Sequence, residues 1–122
     1  MINVLVVSKS DQLRSDFNSY SEELVNHQFA HPTESETLNL KNFHFILVDK
    51  QSLGTPITDS LISESRRNAP ESKIILLTSV DTLSERYNYL TRGVHLFLSG
   101  SFSPKRIYNI LNKFSDPVTL PV

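Results

Sequence analysis

The chain of 122 residues predicts a doubly wound α/β sandwich: five βα units, a five-stranded parallel sheet and three layers. Two observations carry this. Four short apolar runs are bounded by polar residues, as strands buried on both faces require. Between them lie stretches whose apolar residues recur every three or four positions, as in helices packed on a sheet. Strict alternation of the two signals argues for βα units and a parallel sheet.

The first strand is Ile2 to Val7. A helix from Asp11 to Val25 follows, with Leu13, Phe17, Tyr20 and Leu24 on one side and Ser10 or Asp11 as N-cap. His27 to Asn42 is the least regular region. Gln28 to His31 reads as a short edge strand, and Thr33 to Glu36 as the cap and acidic first turn of a short helix ending near Lys41. The next apolar run, Phe43 to Val48, stops abruptly at Asp49. Ile57, Leu61 and Ile62 mark a helix from about Pro56 to Asn68, with proline in the favoured first turn and Pro70 closing it. Lys73 to Thr78 is the fourth strand. Thr82 to Arg92 is a helix with Leu83, Tyr87 and Leu90 as its apolar stripe and Gly93 as its stop. Val94 to Leu98 is the fifth strand, and Ser103-Pro104 opens a last helix with Ile107, Ile110, Leu111 and Phe114 on one face. One domain over residues 1–115 is expected. Residues 116–122, with two prolines in SDPVTLPV counted from Ser115, read as a frayed terminus or the start of a linker.

Composition narrows the function. A hydrophobic fraction of 39% and a charged fraction of 20% are ordinary for a globular domain. The sequence has no cysteine, which removes disulfides and thiolate metal sites. The net charge is −1, and basic residues nowhere cluster beyond Arg66-Arg67 or Lys105-Arg106, so direct nucleic-acid binding is not expected. The start MINVLVV is too short an apolar stretch for a signal peptide or a membrane span, making a cytoplasmic location the expectation. His27, His31, His44 and His95 have no metal-ligand spacing. Ser52, Ser60, Ser63 and Ser65 have no histidine relay, and the three glycines form no phosphate-cradling loop. Tyr87, Tyr89 and Tyr108 fall on the last two helices, as core packing or as a face for a partner. An enzyme is not expected.

Parallel strands direct their carboxyl ends to one side, where ligands of open α/β sheets bind. That side gathers Ser8-Lys9, Asp49-Lys50, Thr78-Ser79 and Ser99-Gly100. In this order and spacing, from Ile2 to Phe114, the chain resembles a response-regulator receiver domain of the CheY-like, flavodoxin-like type. The resemblance implies that Asp49 in FILVDK stands at the phosphoacceptor position, Thr78 in IILLTSV at the switch hydroxyl and Phe97 in RGVHLFLSGSF at the aromatic switch.

Departures from the pattern matter as much. The acidic pair that holds Mg²⁺ in that family is replaced by Ser8 and Lys9, its lysine by Gly100 and the proline after it by Ser101. Phosphoryl transfer depends on electrostatic neutralisation by metal and lysine, and Mg²⁺ favours an octahedral oxygen shell with carboxylates. Weak or absent Mg²⁺ binding, and no other cofactor, are therefore expected. Lys9 either pairs with Asp49 near the vacated metal position or extends into solvent while Asp49 accepts hydrogen bonds from loops; Lys50 and Asp11 compete for the same charges. The first functional expectation is an atypical receiver module acting by phosphorylation-independent contact with a protein partner or output domain. Dimerisation through the face of the fourth helix, fifth strand and fifth helix is one form, with Arg86, Arg92, Lys105 and Arg106 as its charged members. The alternative is a receiver phosphorylated at Asp49 and switched through Thr78 and Phe97. A small-molecule site in the same crevice is a third, weaker option.

Overall fold

A computed structural model describes residues 2–21, 25–35, 37–100 and 102–115. Expectations resting on Leu24, Glu36, Ser101, the side chain of Phe114 and residues 116–122 lie outside the described residues. The elements are β1 (Ile2–Val7), α1 (Asp11–Asn18), β2 (Val25–Ala30), α2 (Pro32–Ser35), a 3₁₀ turn (Leu40–Asn42), β3 (Phe45–Asp49), α3 (Lys50–Leu53), α4 (Thr55–Asn68), β4 (Lys73–Thr78), α5 (Leu83–Thr91), β5 (Leu96–Ser99) and α6 (Pro104–Ser115). The five strands are all parallel, in the order β2-β1-β3-β4-β5. The chain winds outward from β1 in both directions, so β1 and β3 flank the point where strand order reverses. Their carboxyl ends open the crevice in which such sheets bind ligands.

Period-two alternation along each strand divides the core between the two faces. Val4 and Val6 of β1, with Phe45 and Leu47 of β3, pack under Leu13 and Phe17 of α1 and Ile107, Tyr108 and Leu111 of α6. Leu5, Val7, Ile46 and Val48 face the other way, against Leu61 and Ile62 of α4 and Tyr89 of α5. Both faces of the central strands are thus buried, which is why they read as unbroken apolar runs.

Several boundaries differ from the sequence reading, for identifiable reasons. Helix α1 begins as expected, with the Ser10 hydroxyl accepting from Leu13 N at 3.1 Å, but it ends at Asn18 rather than Val25. The six residues of β1 pair one for one with six of β2, from Ile2 beside Val25 to Val7 beside Ala30; this register draws Val25 into the edge strand. The expected strand from Gln28 to His31 therefore starts three residues earlier and stops one earlier. The short helix expected to reach Lys41 stops at Ser35, and a 3₁₀ turn capped by Asn39 follows. Strand β3 includes Asp49 as its last residue.

The largest correction concerns α5. Its predicted apolar stripe faces outward: Leu83 is 86% exposed, Tyr87 73% and Leu90 46%, while Tyr89 is 1% exposed. The charged groups on and beside α5 find partners within the chain. Lys50 Nζ stands 3.7 Å from Glu85 Oε2, Arg92 pairs with Asp59 at 3.0 Å, and Arg86 pairs with Asp81 at 2.6 Å.

Candidate functional site at the carboxyl end of the sheet

Asp49 closes β3 and is 4% exposed. A buried carboxylate needs hydrogen-bond donors or a cation. Here the donor is neutral: Ser8 Oγ, at the end of β1, donates to Asp49 Oδ2 at 2.7 Å. The Ser8 hydroxyl is itself held by Ser10 N, which donates to it at 2.9 Å, and lies 3.1 Å from Ser52 Oγ. Ser52, one turn beyond Asp49 on α3, accepts from Lys9 N at 2.9 Å and reaches back to Asp49 O at 3.3 Å. Two serines thus bind the β1 and β3 loops into one network around the carboxylate.

Lys9 takes part through its backbone alone. Ser8 extends the β1–β2 ladder through Ser8 N to Ala30 O at 3.1 Å, which leaves the Lys9 side chain exposed to solvent. Among the described residues Lys9 forms no ion pair with Asp49. Of the two arrangements open from sequence, the geometry is the one with loop hydrogen bonds.

Thr78 ends β4 and is 2% exposed, with Oγ1 accepting from Val80 N at 3.1 Å. The structure brings it to the same end of the sheet as Asp49, one position past the Asp49–Leu77 register pair. Phe97 points into the core on the α5 side and is 4% exposed. The Arg86 guanidinium lies over its ring, 5.2 Å from the centroid. Arg86 is held there by two hydrogen bonds to Asp81, whose Oδ2 also accepts from Ser99 Oγ at 2.9 Å. Those bonds, Arg86 first and Ser99 second, hold the Asp81 carboxyl below its ordinary range. Phe97 is therefore buried beneath the Arg86–Asp81 ion pair.

Gly100 follows β5 at φ +92°, a left-handed conformation that side chains rarely adopt. A lysine in this place would meet backbone strain, although the nearest side-chain atom is 3.9 Å from where its Cβ would stand. That neighbour is the Arg106 guanidinium, which donates to Ser99 O at 3.1 Å.

An open cleft of about 500 Å³ lies over Asp49, walled by Ser10 and Asp16 of the α1 side, Ser52, and Phe102 and Ser103 ahead of α6. On the far side of Asp49, Lys50 turns under α5 to Glu85 and lies 5.8 Å from the Tyr89 ring centroid. Burial pushes the Tyr89 hydroxyl up to about 12, with the Asp59 carboxylate beside it adding to the shift. The sequence reading missed Ser52 as a site residue. Its signal is local: a hydroxyl three positions after Asp49 can return to the Asp49 carbonyl within one helical turn.

No helix among the described residues is long and apolar enough to cross a membrane. No family model matches the chain, and no curated protein matches it. Solved structures do. The receiver domain of the Francisella response regulator 1452 superposes with a TM-score of 0.79 at 19% identity, covering 98% of this chain and 100% of that one. A response regulator from Thermotoga maritima gives 0.78 at 19% identity, with 93% and 96% covered. The response regulator DrrB of the same organism, an OmpR/PhoB homologue, gives 0.72 at 15% identity; 93% of this chain matches 52% of that one. At such identities the likeness is one of fold: the chain has the flavodoxin-like, CheY-like α/β architecture of receiver domains.

Proposed function

We propose that the chain is an atypical receiver-type signalling module, non-catalytic and cytoplasmic, that works by protein–protein contact without phosphorylation. The observation that carries this reading is the outward stripe of α5. Val80, Leu83, Tyr87 and Leu90 are the large hydrophobics exposed among the described residues, and all fall within one segment. A contiguous exposed apolar patch marks an interaction surface more often than solvent-facing packing. The charged groups beside it are paired within the chain, Asp81 with Arg86, Glu85 with Lys50 and Arg92 with Asp59, so its rim is neutralised. The partner is a second copy meeting the α5–β5–α6 face, or a protein or output domain docked there. This is the helix 4–strand 5–helix 5 face of the sequence reading, where Arg86, Arg92, Lys105 and Arg106 are the charged members; the exposed apolar residues of α5 add an apolar part to it.

The carboxyl end of the sheet supports the same conclusion. One oxygen of Asp49 is taken by a neutral hydroxyl, and Ser8, Lys9 and Gly100 occupy the places of the groups that would neutralise a transferring phosphoryl. The residues present do not fit Mg²⁺, which favours an octahedral oxygen shell with carboxylate ligands; among the described residues no group of metal-binding side chains of the required size occurs. Phe97 already lies buried beneath the Arg86–Asp81 pair with no phosphoryl group involved.

The second reading, phosphorylation of Asp49 with switching through Thr78 and Phe97, is favoured by the presence of all three residues in the family's order. Incubation with acetyl phosphate and Mg²⁺, followed by intact-mass measurement, separates the two. We expect no adduct. A phosphoryl adduct abolished by Asp49→Asn would overturn the phosphorylation-independent reading.

A further inference from the structure

Two histidines fasten the carboxyl-terminal β5–α6 unit to the rest of the sheet. His95 stands one residue before β5. Its backbone N–H donates to Ile74 O at 2.8 Å, and its Nδ1 accepts from Ile74 N at 3.1 Å. One residue of β4 is thus bonded twice by a single histidine. Its imidazole replaces the backbone acceptor that the incoming chain does not supply, because β5 begins only at Leu96. The same clasp recurs ahead of β3, where His44 N donates to Asn3 O at 2.8 Å and His44 Nδ1 accepts from Asn3 N at 2.9 Å. Strand β3, however, is paired on both sides, by β1 and β4, so its seating does not depend on that clasp, whereas β5 is an edge strand with β4 as its single neighbour. Helix α6 is fastened differently. The hydroxyl of Tyr108, fully buried, lies 2.7 Å from Nδ1 of His27 on β2.

We propose that His27 and His95 form an acid-sensitive latch: protonating both loosens the β5–α6 unit from the sheet before the remaining strands give way. At His95 a proton on Nδ1 converts the acceptor into a donor facing another donor, the Ile74 N–H, and the clasp breaks. The charged groups that act on it are Arg66 of α4 and Lys73 at the start of β4, both cations, which oppose an imidazolium. Arg66 packs closely there, with its side chain 2.8 Å from where a Cβ on Gly93 would stand. At His27 the surroundings are aromatic. The Phe17 ring of α1 lies 5.6 Å away and that of Tyr108, the titratable group facing it from α6, 6.3 Å away. Protonating this imidazole fixes Nδ1 as a donor toward the Tyr108 oxygen and places a charge among these rings.

Burial holds the imidazole of His27 below its ordinary range; burial first, then Arg66 and Lys73, do the same for His95. The sign follows from linkage. Groups whose folded values lie below the unfolded value of 6.5 stabilise fully above that pH, and their contribution is lost as pH falls through the folded values. The inference goes beyond the signalling reading and stands on the His95 clasp together with the surroundings of the two imidazoles. Its consequence for that reading is that acid would remodel the face containing β5 and α6.

The test is amide hydrogen exchange by NMR on the whole chain at about pH 7.5 and about pH 5.5, corrected for intrinsic rates. We expect protection at Leu98 and Leu111 to fall by about tenfold or more on acidification, while Val6 and Leu47 change by less than about threefold. The double variant His27→Asn/His95→Asn offers an acceptor at each place without a titrating proton and should flatten this difference. Uniform loss of protection across all strands, no loss at all, or an unchanged acid response in the variant would overturn the latch. Should the variant not fold, imidazole titration of the wild-type chain decides: exchange in β5–α6 must rise over the pH range in which His27 and His95 titrate, and a rise elsewhere refutes the proposal.

Discussion

Helices α5 and α6 flank the same strand, β5, and are built on the same spacing rule, yet they face opposite ways. In α6 the residues Ile107, Tyr108 and Leu111 are fully buried. In α5 the residues Leu83, Tyr87 and Leu90 are exposed, and Tyr89 alone is deeply buried. A three-to-four-residue period establishes a helix with an apolar stripe, but not which side the stripe faces. What decides the matter is the opposite face. In α5 that face carries Glu85, Arg86 and Tyr89, and the chain supplies Lys50, Asp81 with Phe97, and Asp59 to meet them. The apolar stripe is then left for something outside the chain.

The comparison breaks most visibly at α6. Leu111→Ala removes a fully buried side chain from the cluster with Phe17 and Leu47, and we expect a loss of about 3 kcal/mol in urea unfolding. A loss as small as that of an exposed leucine would mean that α6 is not seated as described. Next in size is the carboxyl end of the sheet. Ser8→Ala leaves Asp49 buried without its hydroxyl donor, and hydrogen bonds to charged groups contribute about 1.5–3 kcal/mol. A loss of about 2 kcal/mol that disappears in the Asp49→Asn background would show that the serine acts through the carboxylate. Equal losses in both backgrounds would refute that coupling.

Much of the architecture was legible because a parallel sheet covered on both faces writes its strands as continuous apolar runs. Asp49 was legible for the same reason: a carboxylate that ends such a run must lie at the sheet's carboxyl edge. The rest was hidden by physics that sequence spacing does not record. Strand β2 lies at the sheet edge with its polar residues partly exposed, so Val25 read as helix until the register with Ile2 was known. Ser8 and Lys9 are neighbours in sequence, but the strand ladder buries the first and turns the second outward, so the shorter, neutral side chain became the partner of Asp49. Phe97 was placed by its strand, whereas the Arg86–Asp81 pair above it depends on how α5 is rotated, which its periodicity left open.

The smallest expected effect on stability sharpens the comparison most. Leu83 is the first residue of α5, capped by the Thr82 hydroxyl that accepts from Glu85 N at 3.1 Å. An acidic residue in the first turn suits the positive end of the helix, so Leu83→Asp should alter unfolding by less than about 0.5 kcal/mol, in contrast to Leu111→Ala. Its effect should appear in association instead. If the α5 stripe meets a second copy, sedimentation velocity will show dimers of the wild-type chain at concentrations where Leu83→Asp is monomeric. Burying an aspartate against the partner's leucines carries a desolvation penalty, while the ion pairs around the patch remain intact. If both proteins sediment as monomers, self-association is refuted, and the stripe is left to a different protein or an output domain. If both are dimers, the contact lies elsewhere and the outward face of α5 loses its assigned role. A helix turned apolar side outward is costly to leave wet, and this measurement asks what keeps it dry.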